Sequence, residues 1–252
     1  MNELDTDFGQ CHENRERRSS TAPGSHHVLT DDEFETWHRG LGLPRESVAL
    51  IEQIRSSDPA RRVGGGSRNV WGRYPSDKMG CTIQFESHTV ELPAIYLKEH
   101  DPYVLEFYDQ PNSIVLAYKS ASGRPVGPVT TPDFFVLWRD CAGWEEWKTE
   151  AALLALADKS PNRWILDAAG WHSPPGDAFA HPLGLVYRVC SENQINPVVV
   201  RNLRFLEDVL RDPSDVDETI AALLLGVVSG DPGITIADLI GRVRALLVRG
   251  QA

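Results

Sequence analysis

The chain has 252 residues, 41% of them hydrophobic with seven tryptophans, enough for one sizeable core and a smaller second one. No apolar run reaches the length of a membrane span, and the net charge of −11 argues against a free-standing protein that grips nucleic acid with a basic surface. The four cysteines, Cys11, Cys81, Cys141 and Cys190, lie far apart without a Cys-x-x-Cys pair, which argues against a zinc site and a disulfide framework.

Residues 1–29 are polar, have little to bury and are expected to form a disordered tail. Residues 1–18 lack the apolar core of a signal peptide, so the expected location is cytoplasmic. Thr30 and Glu33 make a capping-box pattern that opens a short helix through Trp37, stopped by Gly40 and Gly42. Residues 44–56 read as a second helix with Val48, Ile51 and Ile54 on one face, making 30–60 an N-terminal helical segment. Gly64-Gly65-Gly66 reads as a hinge and lacks the Lys-Ser/Thr of a phosphate-binding loop. Between 55 and 78, Arg61, Arg62, Arg68, Arg73 and Lys78 interleave with Trp71 and Tyr74, a locally basic stretch that suits a nucleic-acid backbone or a solvated linker.

Residues 82–85 are β-prone, and 90–100 form a helix whose start is delayed or bent by Pro93. Strands are expected at 104–108 and 114–118, punctuated by Asp101-Pro102 and Gln110-Pro111. A hairpin over 134–149, a helix at 151–159 and strands at 163–168 and 185–189 complete an α/β domain over 61–190; there is no Gly-x-Gly-x-x-Gly of a Rossmann fold. Helices at 197–210, 218–228 and 236–247, separated by Pro213 and Gly230-Asp231-Pro232-Gly233, predict a small α-helical, winged-helix-like domain over 191–252. Its last helix carries Arg242, Arg244 and Arg249.

Chemistry concentrates on the hairpin. With 139–142 as a four-residue loop, Asp133 falls opposite Lys148 and Glu146 lies diagonal to it. Alternation turns Glu146 and Lys148 to one face, Glu145 and Trp147 to the other. Converging carboxylates repel each other unless a hard cation sits between them. Mg2+, with Mn2+ as the alternative, takes one or two carboxylates and keeps waters and phosphate oxygens. A lysine beside it can orient or deprotonate an attacking water and stabilise charge on a phosphorane. The pattern suits a metal-dependent phosphodiester nuclease, and equally an ordinary surface salt bridge on a hairpin.

Several segments in order carry a more specific signal: Arg68-Asn69-Val70-Trp71-Gly72-Arg73-Tyr74-Pro75, Phe85-Glu86-Ser87-His88, Val104-Leu105-Glu106-Phe107-Tyr108-Asp109, Thr131-Pro132-Asp133-Phe134, Glu146-Trp147-Lys148 and Asn193-Gln194-Ile195-Asn196-Pro197. Over residues 60–210 the chain resembles the TnsA-type endonuclease subunits of heteromeric bacterial transposases. The resemblance implies a restriction-endonuclease-like core, of the PD-(D/E)xK kind, in which a glutamate on the helix before the hairpin completes the site. Glu91 is the match, with Glu86 the competing assignment. Asp133 is then the principal metal ligand, Glu146 a ligand or a supporting carboxylate, and Lys148 the water-positioning base.

The resemblance further implies cutting of double-stranded DNA at the 5′ ends of a transposon. An integrase-like (TnsB-like) subunit handles the 3′ ends, and an ATPase regulator (TnsC-like) docks on the C-terminal domain. Delivery by partners would reconcile the acidic charge with DNA chemistry. The alternatives are a stand-alone restriction or repair nuclease, and a non-catalytic assembly module of a transposase.

Overall fold

The computed structural model describes residues 28–61, 71–210 and 217–250. The chain divides into two compact units, Met1–Phe205 and Leu206–Ala252. The tail up to residue 27 and the Gly64–Gly66 hinge lie outside the described residues. Val28 and Leu29, expected in the tail, belong to the folded part: Leu29 is held between Glu106, which accepts from its N–H, and Arg55, which donates to its carbonyl.

Helices α1 (Asp31–Leu41) and α2 (Arg45–Ser56) follow the sequence reading closely. The capping box forms, with Thr30 accepting from the Glu33 N–H and Glu33 accepting from that of Thr30. The helix runs through Gly40 to Gly42, whose φ of 66° makes the left-handed cap. Strands β1 (Gly72–Ser76) and β2 (Cys81–Phe85) pair as a hairpin. Helix α3 (Glu91–His100) starts at Glu91, and Pro93 fits its first turn, where no intrahelical N–H bond is needed.

The centre is a mixed four-stranded sheet in the order β12-β9-β8-β3, from β3 (Val104–Asp109), β8 (Phe134–Trp138), β9 (Ala142–Lys148) and β12 (Val186–Ser191). The first three run antiparallel in chain order, and β12 returns parallel to β9. Between β3 and β8 a two-stage arm pairs β4 (Ile114–Val115) with β7 (Val129–Thr130), and β5 (Tyr118–Lys119) with β6 (Pro125–Val126). The single strand expected at 114–118 is therefore two short pieces of this arm. Between β9 and β12 lie α4 (Glu150–Lys159), the hairpin of β10 (Ile165–Asp167) and β11 (Gly170–His172), and α5 (Pro174–Ala180).

Both faces of the sheet are covered, which explains the unbroken apolar run of β8. Phe134, Val136 and Trp138 face a core shared with α3 and the β1–β2 hairpin. Phe135 and Leu137 face a second core with α1, α2, Trp144, Leu153 and Tyr187. Each fully buried Phe contributes about 1.5–3 kcal/mol relative to an exposed one. Arg55 and Lys78, from the basic stretch, are structural: Arg55 pairs with Glu106 at 3.0 Å. The Lys78 ammonium donates to the carbonyls of Lys98, Asp101 and Val104, capping the end of α3. Tyr74 is also core, while Trp71 and Arg73 are exposed.

The β9–β12 pairing depends on Gly143. A Cβ there would lie 1.9 Å from the Val186 carbonyl oxygen, a backbone atom that cannot swing away. Gly143→Ala is expected to cost at least about 1–3 kcal/mol, read as a lowered urea midpoint, whereas alanine at the open position Gly40 should cost little.

In the C-terminal part, α6 (Pro197–Leu210) is capped by Asn196, which accepts from the N–H groups of Val198 and Val199. The expected boundary at 191 moves into this helix, because Val200 and Leu203 pack into the first core. The second unit contains α7 (Glu218–Gly230), capped by Asp217, and α8 (Ile236–Gly250), packed against each other. Its described residues are helical with short connections and include no strand, so the wing of a winged helix is not among them.

Candidate active site

The hairpin turn is tighter than its sequence suggests. The Trp138 N–H donates to the Cys141 carbonyl at 2.9 Å, leaving Arg139 and Asp140 as a two-residue turn. Ala142 and Gly143 belong to β9, opposite Leu137 and Val136 of β8, and Gly143 also pairs in parallel with Val186 of β12. Phe134 then lies opposite Glu145, and Asp133 comes level with Glu146 instead of Lys148. A shift of two residues preserves the face, so Glu146 and Lys148 still share the side of Asp133.

Each side chain has a definite holder. The Trp147 N–H donates to Asp133 Oδ2 at 2.6 Å. Lys148 Nζ lies 3.0 Å from Glu146 Oε1 and 4.0 Å from Asp133 Oδ2. Glu146 Oε2 accepts from Tyr187 Oη at 2.5 Å and faces Arg163 Nη2 at 3.8 Å. The Tyr187 ring is set in turn by α5, whose Gly176 lies so close that a Cβ would strike the ring at 2.3 Å. Glu91, in the first turn of α3, approaches the same end of the sheet, and its Oε2 accepts from the Glu86 N–H at 2.8 Å. The Glu86 carboxylate turns to Arg61 at 2.5 Å. Asp133, Glu146 and Lys148 thus meet, and Glu91 lies near enough for the charges of Asp133 and Lys148 to act on it. Tyr187 and Arg163 complete the cluster without having announced themselves in the sequence, since each comes from a separate, motif-free segment.

Burial here penalises negative charge. The Glu91 carboxyl is pushed up to about 7, first by burial and then by the charge of Asp133, against the Glu86 N–H bond. Asp133 is pushed up to about 6 by burial, with Lys148 and the Trp147 N–H opposing. For Lys148, burial works to lower the value, but Asp133 and Glu146 outweigh it and raise it. Lys148 is therefore held as an ammonium, a donor that orients a water more readily than it removes a proton.

The two raised carboxyls contribute to the pH dependence of stability, alongside Asp177, which burial pushes up to about 6. The folded protein holds protons at Glu91 and Asp133 that the unfolded chain has released, so stability falls as pH rises from about 4 to about 7. In metal-free buffer, thermal melts should show this loss, and Glu91→Gln should flatten the upper part of the profile. A wild-type profile rising across that interval would contradict it.

Among the described residues, no group of three or more His, Cys, Asp or Glu side chains stands close enough to form a metal cage alone. The donor chemistry nevertheless fits a hard cation completed by water and substrate. Glu91 and Asp133 supply two oxygen donors whose ionisation needs compensating positive charge, whereas the Glu146 oxygens are already engaged by Tyr187 and Lys148. The opposite face of the sheet holds a separate buried pair: Lys98 Nζ lies 2.5 Å from Glu145 Oε2, which also accepts from the Trp147 indole N–H at 2.7 Å.

Compared with protein-family models and with curated proteins, the chain matches none.

Proposed function

We propose that this protein is a Mg2+-dependent DNA endonuclease with a restriction-endonuclease-like core, acting as the TnsA-type subunit of a heteromeric transposase. The observation that carries the reading is the convergence of Glu91, Asp133, Glu146 and Lys148 at one end of the mixed sheet, with the first two carboxyls shifted toward neutrality. Elements far apart in sequence deliver them: the start of α3, the start of β8 and the end of β9. A surface salt bridge on a hairpin does not require a buried glutamate from a separate helix.

In this reading Glu91 and Asp133 hold the divalent cation. When bound, Mg2+, or Mn2+ in its place, supplies positive charge against the oxygens of the scissile phosphate. Lys148 donates to the attacking water and orients it toward phosphorus. Glu146, anchored by Tyr187, fixes the Lys148 ammonium in that position. The Trp147 N–H keeps Asp133 from turning away from the site.

Local charge favours a DNA substrate more than the total does. The arm that leads into Asp133, residues 110–132, contains Lys119 and Arg124 and no acid. Two exposed cations on a projecting hairpin suit a phosphate backbone. In the second unit, Leu225, Ile236 and Ile240 are exposed, an apolar surface of the kind a protein partner covers, and the ATPase regulator is the proposed occupant.

The test is to map nicks on DNA carrying the transposon ends, with Mg2+ and with the integrase-like and ATPase subunits present. Cuts at the 5′ ends that require this chain are expected. Their absence with every partner present would overturn the reading. Full cutting of arbitrary DNA by the chain alone would remove the partner dependence.

A further inference from the structure

Two arginines of this protein are buried to the same extent and bonded very differently. The side chains of Arg55 and Arg163 are each 14% exposed. Arg55 is well bonded: Nε donates to Glu106 at 3.0 Å, and Nη2 donates to Glu106 at 3.1 Å and to the Leu29 carbonyl at 2.6 Å. Arg163 is not. Among the described residues its one side-chain hydrogen bond is a long 3.4 Å contact from Nη2 to Thr130 Oγ1, its distance to Glu146 is 3.8 Å, and its buried Nε has no acceptor. A guanidinium carries five N–H donors, and withdrawing them from water without partners is costly.

The guanidinium is nevertheless held in place. It lies over the Trp164 ring at 4.8 Å, and Trp164 is itself buried. Glu146 does not need it as a counter-charge, because Lys148 and Tyr187 serve that carboxylate at shorter distances. Arg163 also adjoins the acid-free arm: Thr130 is on β7, and neighbouring Asn162 donates to the Lys119 carbonyl at 2.8 Å. A pre-positioned planar cation with spare donors, set between a candidate catalytic acid and a basic arm, suits an oxyanion that it can grip with two parallel N–H bonds.

We propose that Arg163 binds a phosphate of the DNA backbone next to the scissile bond and anchors the strand across the site. The assignment rests on the nuclease reading and adds to it a residue outside the Glu91, Asp133, Glu146 and Lys148 set. Arg163 fixes the position of the strand, while Lys148 acts on the water.

The experiment measures binding of a short duplex oligonucleotide to the full chain in EDTA, by fluorescence anisotropy over a range of salt concentrations. Wild type, Arg163→Met and Arg163→Lys are compared, with a thermal melt of each. The expected result for Arg163→Met is an affinity about tenfold lower at low salt and a salt-dependence slope smaller by about 0.9, the loss of one phosphate contact. Arg163→Lys should keep the slope with an intermediate affinity, since it retains charge and loses the planar fork. Duplex binding by wild type together with an unchanged slope in Arg163→Met would overturn the anchor and leave the nuclease reading standing. A lower affinity at unchanged slope, accompanied by a lower melting temperature, would mark a packing role and overturn it equally. Failure of wild type to bind duplex at any salt concentration would overturn the anchor, while the nuclease reading, which has partners deliver the chain to DNA, is decided separately by the cleavage test with those partners present.

Discussion

Asp133→Asn is expected to raise the melting temperature by several degrees at pH 8 in EDTA, and to lower Mg2+-dependent cleavage by about 10³-fold or more. The stability gain follows from removing a carboxyl whose buried environment pushes it up to about 6 from an ordinary value of 3.8. Ionising it in the folded state at pH 8 costs up to about 3 kcal/mol, a net figure in which the attraction of Lys148 already opposes burial. The asparagine oxygen can still accept the Trp147 N–H. At pH 4 wild-type Asp133 is already protonated in the fold, so the gain should vanish there. The activity loss follows from the proposed role in holding the cation, an effect of several kcal/mol on the transition state. Opposite movements of stability and activity are the mark of a functional carboxylate; a structural one would lose both. Thermal melts at the two pH values, beside a cleavage assay, check it.

Lys98→Met should have the largest effect on stability. Lys98 and Glu145 are buried together, and the ammonium also lies 4.5 Å from the Phe134 ring centroid and 4.8 Å from that of Trp147. Removing the lysine leaves Glu145 as an uncompensated buried charge, at a cost of about 3–5 kcal/mol in urea unfolding. The double replacement Lys98→Met with Glu145→Gln should recover most of that loss. It deletes both charges while keeping an acceptor for the Trp147 indole. A double variant as unstable as the single one would contradict this account of the pair.

Much of the molecule was legible in its sequence, for physical reasons that differ by element. Helices α1 and α2 announced themselves through a capping box and an apolar face, signals that are local. The pairing of Glu146 with Lys148 on one face needed only the two-residue period of a strand. What failed depended on partners far away in sequence. The hairpin register slipped by two because Ala142 and Gly143 are strand rather than turn residues, with Gly143 paired to both β8 and β12. Lys78 read as part of a basic surface, yet carbonyls at the end of α3 make it an internal cap. Tyr187 and Arg163 carried no signal, because their significance lies in reaching Glu146 from other segments. Glu91 was reached through a resemblance to a family, and the fold gives it a physical setting beside Asp133.

The central claim is that Glu91, Asp133, Glu146 and Lys148 form one metal-dependent phosphodiester-hydrolysing site. The most direct measurement is single-turnover cleavage of end-labelled transposon-end duplex, with partner subunits present, by wild type, Asp133→Ala and Lys148→Ala in Mg2+ and in EDTA. The account predicts product from wild type in Mg2+, none in EDTA, and rates lower by about 10²-fold or more in each variant. Equal cleavage by all three proteins, or cleavage that persists in EDTA, would contradict it.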